Sequence, residues 1–239
     1  MESTESLFHR NELLLGKEAA VALYRCHIIL FGVGGVGSWC AEALIRSGVG
    51  HLTLVDPDTI CSTNLNRQLQ ATCPDIGKYK VDVLQKRLLQ INPDATIASL
   101  QISYNEETSK QFDFNTFDYV IDAIDSLSAK VALLVQAMQS RATLYSAMGA
   151  ANKLNPALIR TGSIWETKQC PLARFVRKRL RRYSVTGDFT CVYSTEVSEP
   201  RKEEEPHGSM VHISGTFGFF LAGLVVQDQQ MLNSKSTEL

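Results

Sequence analysis

The run Ile28-Ile29-Leu30-Phe31-Gly32-Val33-Gly34-Gly35-Val36-Gly37 constrains this chain more than any other stretch. Its apolar half reads as a buried strand, its glycines as a tight turn, and the residues from Gly37 onward as a helix start. Unpaired backbone N–H groups and the positive end of the helix dipole draw a phosphate to such a turn. Side chains at Gly32, Gly34, Gly35 and Gly37 would hold that phosphate away. His51-Leu52-Thr53-Leu54-Val55 reads as a second strand, with Asp56 at its end. Asp56 stands 19 residues past Gly37, where a carboxylate meets ribose hydroxyls. Glycines alone are a weak signal. Strand, turn, helix, strand and terminal acid in register point to a bound nucleotide.

Strand and helix patterns alternate through the first 150 residues. Strands are expected at about 27–31, 51–55, 95–100, 119–121 and 143–145. Helices are expected at about 37–47, 78–90 and 127–139, the second stopped by Asn92-Pro93. This alternation predicts an α/β fold with a doubly wound, mostly parallel, Rossmann-like sheet and a small C-terminal extension. The expectation is one domain over 1–239, with a nucleotide-binding core at about 10–162. Residues 163–239 would then hold a basic helix at 171–182 and a short strand at 191–193, the core having ended on a strand near 158–160. Ligands of such sheets lie beyond the carboxyl ends of the strands. Gly32, Asp56 and Asp125 all fall on that edge.

A chain of 239 residues can bury one sizeable core. Its formal net charge of −1 gives no global attraction to nucleic acid, so any such contact needs a local patch. Six scattered cysteines with no CxxC pair argue against structural zinc and a disulfide framework, and for a reducing cytoplasm. Met1–Glu5 is polar and lacks an apolar signal core. The apolar stretch Phe217–Val226 is short of the ~20 residues a spanning helix needs, so a buried C-terminal helix and no membrane span are expected. Glu199–Gly208, charged and holding Pro200 and Pro206, is expected to be a mobile solvent loop.

A glycine turn alone would equally suit a nicotinamide enzyme. The residues after Asp56 decide against it: Asp58, Asn64, Arg67 and Gln68 follow, and then Lys80 at a helix start. A dinucleotide needs no extra cations. Breaking a nucleoside triphosphate at its α-phosphorus spreads charge onto the leaving pyrophosphate, and Arg67 and Lys80 are suited to stabilise it. Asp125, on a strand end, suits a magnesium ion beside the α-phosphate. Asp122 reads as a turn or capping residue.

The chain resembles the ubiquitin-activating-enzyme-like adenylating superfamily in Gly32-Val33-Gly34-Gly35-Val36-Gly37, Leu54-Val55-Asp56-Pro57-Asp58, Asn64-Leu65-Asn66-Arg67-Gln68, Gly77-Lys78-Tyr79-Lys80 and Asp122-Ala123-Ile124-Asp125-Ser126. The resemblance implies ATP and Mg2+ as cofactors. Asp56 would be the ribose ligand, Arg67 and Lys80 the phosphate-binding pair, Asn64 a polar contact at the phosphates and Asp125 the metal-linked acid. Arg10 is similar to an arginine that the family inserts into a neighbouring subunit's ATP site, which implies a homodimer. Gly37-Ser38-Trp39, Cys191-Val192-Tyr193-Ser194-Thr195-Glu196 and Thr216-Phe217-Gly218-Phe219 are similar to the branch acting on tRNA that carries threonylcarbamoyladenosine. That branch activates the threonyl carboxylate with ATP and closes a ring by intramolecular attack, formally losing water.

Three other readings stay open on the residues alone. One is an activator of a ubiquitin-like sulfur carrier, which leaves room for a sulfur-relay partner. The others are a noncatalytic nucleotide sensor and a nicotinamide oxidoreductase. Cys170 or Cys191 as a thioester nucleophile ranks below an inert packed cysteine. The helix at 171–182 should turn Leu172, Phe175, Val176 and Leu180 inward. Arg174, Arg177, Lys178, Arg181 and Arg182 would then offer an outer face to tRNA phosphates, against the plainer reading of a solvated face.

Overall fold

A computed structural model of the chain describes residues 7–197 and 207–237. Strand β1 (His27–Phe31) is buried on both faces, which is why its sequence is a continuous apolar run and not an alternation. Ile28 and Leu30 point to one side, where they join Leu44, Leu84, Phe217 and Leu221. Ile29 and Phe31 point to the other, with Phe112, Phe114, Val131 and Leu134. The Phe31 ring meets Tyr104, Phe112 and Phe114 edge-on, with centroids 5.2, 5.1 and 5.7 Å away.

The remaining strands are β2 (His51–Val55), β3 (Thr96–Leu100), β4 (Tyr119–Asp122), β5 (Thr143–Ala147), β6 (Ile159–Ser163) and β7 (Thr190–Ser194). They form one seven-stranded sheet in the order β3-β2-β1-β4-β5-β7-β6. Only β6, paired with β7, runs antiparallel. The helices are α1 (His9–Leu15), α2 (Lys17–Arg25), α3 (Gly37–Arg46), α4 (Lys80–Ile91), α5 (Leu127–Ala137), α6 (Pro171–Arg182) and α7 (Val211–Thr237). The chain leaves β1 toward β2 on one side and returns as β4 on the other. That reversal opens a crevice between β1 and β4, the position where doubly wound sheets take their ligands. Phe31 is level with both Val55 and Asp122, so the segments after all three strands emerge abreast.

The expected strands and helices are present, with α4 starting at Lys80 itself. The two ends of the chain differ. Helices α1 and α2 were not anticipated; α1 buries no residue, and its Leu13 and Leu14 are exposed. At the other end, the apolar stretch is part of a 27-residue helix. By length and composition α7 could cross a bilayer over Val211–Ser234. It lies instead along α3, with Ile213, Phe217, Leu221 and Val225 in the core. The charged segment from Glu199 falls, through Pro206, outside the described residues.

Gly218 sets how closely α7 rides on α3. A Cβ there would stand 2.5 Å from the Val36 carbonyl oxygen and 2.7 Å from the Cys40 nitrogen. Gly223, one turn further along α7, would meet nothing within 4 Å. Gly218→Val should therefore cost about 3 kcal/mol through overpacking. Gly223→Ala should add about 0.5–1 kcal/mol through helix propensity. Urea denaturation of both variants checks the pair; equal effects would contradict the packing described.

Candidate active site

The glycines of the turn divide into two groups. Gly32 has φ +83°, and a Cβ on it would sit 2.7 Å from the Ala123 carbonyl oxygen. A Cβ at Gly37 would fall 1.8 Å from the Gly32 carbonyl oxygen. These two let the turn close on itself and on the end of β4. Gly34 and Gly35 face a cavity of about 860 Å3, with Gly32 at its edge, whereas Gly37 does not line it. The expectation that all four glycines clear room for a phosphate is thus corrected: Gly37 serves close packing.

Asp56 is buried, and both its oxygens are engaged. Oδ2 accepts from Val33 N–H at 2.8 Å and Oδ1 from Asp58 N–H at 2.9 Å. Burial pushes its pKa above the ordinary aspartate value, against the pull of Lys80 and of those two N–H groups. Lys80 is buried as well, its ammonium 2.7 Å from Asp58 Oδ2; the Asp58 side chain is 62% exposed. Arg67 is half-buried, and its guanidinium donates to the Thr63 carbonyl (2.8 Å) and to Asn66 Oδ1 (2.9 Å). Its backbone carbonyl accepts from the Trp39 indole at 3.0 Å, which ties this loop to α3. Gln68 is buried on the cavity wall, and its Oε1 has no hydrogen-bond partner among the described residues. Asn64 departs from its expected role. It is buried off the cavity, and its Oδ1 accepts from Cys61 N–H to cap the short 62–64 turn.

Beyond β4, Asp125 is an exposed carboxylate on the cavity wall. Asp122, three residues earlier, is fully buried and is more than a cap. It accepts from Lys130 Nζ at 2.5 Å, Ser146 Oγ at 2.6 Å and Ile124 N–H at 3.0 Å. Lys130 in turn donates to the Ala147 carbonyl at 2.9 Å. This ion pair knots together two walls of the cavity, the segment after β4 and the segment after β5. Helical spacing places Lys130 on the buried stripe with Leu133, Leu134 and Ala137, but a lysine there reads as a break in that stripe, because the partners that accept its charge come from β4 and β5.

Besides the nucleotide-type residues, the cavity is lined by Met148–Lys153, Cys170–Leu172, His207, Ser209 and Ser214. Asn152 orders part of it. Its Oδ1 accepts from Gly208 N–H and its Nδ2 meets His207 Nδ1, both at 2.9 Å. Buried Lys153 donates to the Glu196 carbonyl. Ser214 comes from α7, which rests its first turns against Gly35. The volume is at the upper end of the range for a small-ligand pocket.

A model of the ThiF family matches residues 8–234. The chain belongs to the ThiF family. The tRNA threonylcarbamoyladenosine dehydratase of Bacillus subtilis is 37% identical over 237 residues, covering 92% of this chain and 93% of that protein. The crystal structure of Escherichia coli tRNA N6-threonylcarbamoyladenosine dehydratase, TcdA, in complex with ATP superposes with a TM-score of 0.91. It is 31% identical and covers 98% of both chains. A sulfur carrier protein adenylyltransferase of Thermus thermophilus is 30% identical, but over only 52% of this chain.

In this ThiF-family chain the other expected site residues are spread out. Arg10 lies on α1, exposed and outside the cavity of its own chain. Cys191 is fully buried and off the cavity, and burial pushes its thiol up to about 12. Cys170 is buried on the cavity wall. On α6 the inward stripe is Ala173, Val176 and Leu180, so the expected burial of Phe175 is corrected: its ring is 44% exposed. Arg177 turns toward the protein and donates to the Ile164 and Thr167 carbonyls, both at 3.2 Å, and to the Thr167 hydroxyl. Arg174, Lys178, Arg181 and Arg182 are exposed.

Lys130→Met should leave the buried Asp122 carboxylate unpaired and cost about 3–5 kcal/mol, whereas Asp122→Leu combined with Lys130→Met should recover most of that loss. Denaturant melts of the single and double variants test this; additive losses would show that the two groups do not act as a pair.

Proposed function

We propose that the chain is an ATP-dependent tRNA threonylcarbamoyladenosine dehydratase. The threonyl carboxylate oxygen attacks the α-phosphorus of ATP, the bond to the β-phosphate oxygen breaks, and pyrophosphate leaves. A nucleophilic atom of the same threonylcarbamoyl group then attacks the acyl carbon, loses its proton and expels AMP. Adenylation turns a poor electrophile into one with a leaving group. Because the nucleophile already sits in the same molecule, proximity supplies much of the rate, and no enzyme cysteine is needed. The observation that carries this reading is one cavity at the β1/β4 crevice lined by Asp56, Arg67, Lys80 and Asp125, in a chain so similar along its length to named dehydratases.

Asp56 keeps one lone pair per oxygen for ribose hydroxyls. Lys80 and Arg67 meet the phosphates, and Gln68 Oε1 offers its unused acceptor to a donor on the nucleotide. Asp125 suits Mg2+, because that ion commonly binds through one or two carboxylates plus substrate phosphates. When bound, the ion neutralises phosphate charge. Among the described residues no cluster of three or more His, Cys, Asp or Glu side chains could hold a metal by themselves, which agrees with a site completed by the nucleotide. Arg10 acts in this reading from a second copy of the chain, making the enzyme a homodimer. The described cysteines are all free thiols, in keeping with a cytoplasmic setting.

Incubation with ATP, Mg2+ and tRNA bearing threonylcarbamoyladenosine should release AMP and pyrophosphate, and unmodified tRNA should not. Release of ADP, or pyrophosphate exchange that needs a carrier protein instead of RNA, would overturn the assignment. Arg67→Ala and Lys80→Ala should each lower kcat by about 10²–10³-fold.

The exposed cations of α6 form the proposed footprint for tRNA phosphates. Charge reversal at Lys178 and Arg182 should weaken tRNA binding and flatten its dependence on salt by about one unit of slope per lost contact. Arg177→Ala should instead lower thermal stability, since that guanidinium serves buried carbonyls. Binding isotherms at several salt concentrations separate the two outcomes.

A further inference from the structure

Helix α6 begins in the cavity wall and ends in solvent. Pro171 and Leu172 line the cavity. Phe175 stands three residues past Leu172, so the two share a side of the helix about 4.5 Å apart along its axis. The Phe175 ring is 44% exposed, and the Arg174 guanidinium lies over it, 5.2 Å from the centroid. Lys178 and Arg182 continue the same line at the spacing of successive turns, both exposed. From 171 to 182 the helix carries six cations and no acid. A cation-rich helix needs no aromatic ring to remain in water, and the buried stripe of α6 is complete without Phe175. The ring is thus left half-exposed on the cationic side of the helix, next to the cavity.

Resting on the function assigned above, we propose that Phe175 is a stacking platform for an unpaired nucleobase flanking the adenosine held in the cavity. Proteins grip single-stranded RNA loops by stacking splayed bases on aromatic and guanidinium planes. Arg174 and Phe175 supply one of each, a single helical turn from the cavity mouth. The positive line running on through Lys178 and Arg182 matches a phosphate backbone leading away from that base. A protein partner would need an acidic face here, and it would gain nothing from a π-face that an aliphatic side chain could not supply.

The test titrates the full chain with a labelled RNA stem-loop whose loop carries threonylcarbamoyladenosine. Phe175→Ala should weaken binding roughly 10- to 100-fold. Phe175→Trp should bind at least as tightly as the parent, while Phe175→Leu, apolar but without a π-face, should stay weak. The slope of log Kd against log salt should be the same in all three, because no phosphate contact is lost, whereas Lys178→Ala should reduce it by about one. Binding by Phe175→Leu equal to the parent would overturn the proposal, since an aliphatic side chain has no π-face to stack on. So would a loss at residue 175 that came with a changed salt slope. AMP release is measured separately. A parent enzyme that releases none with modified tRNA sinks the assigned activity. Parent turnover with indifferent Phe175 variants sinks the stacking platform alone.

Discussion

The carboxylate of Asp56 joins the two backbone segments that border the β1 side of the cavity. One oxygen holds Val33 N–H in the glycine turn and the other holds Asp58 N–H in the loop after β2. The β1–β2 register makes this possible by setting Phe31 against Val55. Asp58, fixed at its backbone, then holds Lys80 by its side chain. A chain of contacts therefore runs from the phosphate-type turn to the principal buried cation before any ligand arrives. Groups aimed in advance at developing charge need no reorganisation during the reaction, which is where such sites gain their rate. The Asp58 side chain is well exposed, so its pairing with Lys80 is weakly held, as expected where one partner of an ion pair is a surface carboxylate.

Across the crevice, the Asp122–Lys130 pair does the corresponding job for β4 and β5. Its setting is different: both groups are fully removed from water. A buried pair of this kind gives little net stability over well-packed apolar residues, yet it is costly to break on one side. Its value here is positional. Asp122 fixes Ile124 N–H just ahead of Asp125, and Lys130 fixes the Ala147 carbonyl just ahead of the cavity-lining residues Met148–Lys153. The two walls are thereby tied to one another through a single carboxylate.

What could be read from the sequence follows from how local the encoding is. The strand–glycine–helix turn, Asp56, Lys80 and the β4 end are set by neighbours within a few residues, and each lies where its spacing put it. Asn64 and Gly37 lay in the right motifs but face inward, because a motif fixes a backbone path without saying which side chain meets the cavity. On α6 the small Ala173, easily overlooked beside Phe175, sets the buried stripe, and the helix is rotated accordingly. Lys130, Lys153 and Ser214 owe their places to contacts with β5, the Glu196 carbonyl and Gly35, all distant in sequence. No periodicity encodes contacts of that range.

The near-neutral formal charge acquires a different meaning once α6 is seen. Six cations within one 12-residue helix imply that the remainder of the chain is net acidic. Positive charge is thereby concentrated on one helix, and local charge of that kind orients a charged ligand as well as attracting it. The helix has a direction, since its first turn lines the cavity and its last faces solvent. Close packing at Gly218 keeps α7 on α3, and Ser214 in its first turn lies against Gly35 of the glycine turn. The C-terminal third of the chain thus supplies cavity wall from the starts of two helices, α6 through Pro171 and Leu172 and α7 through Ser214, and only the first of them continues into a cationic surface, so the charge next to the cavity is asymmetric.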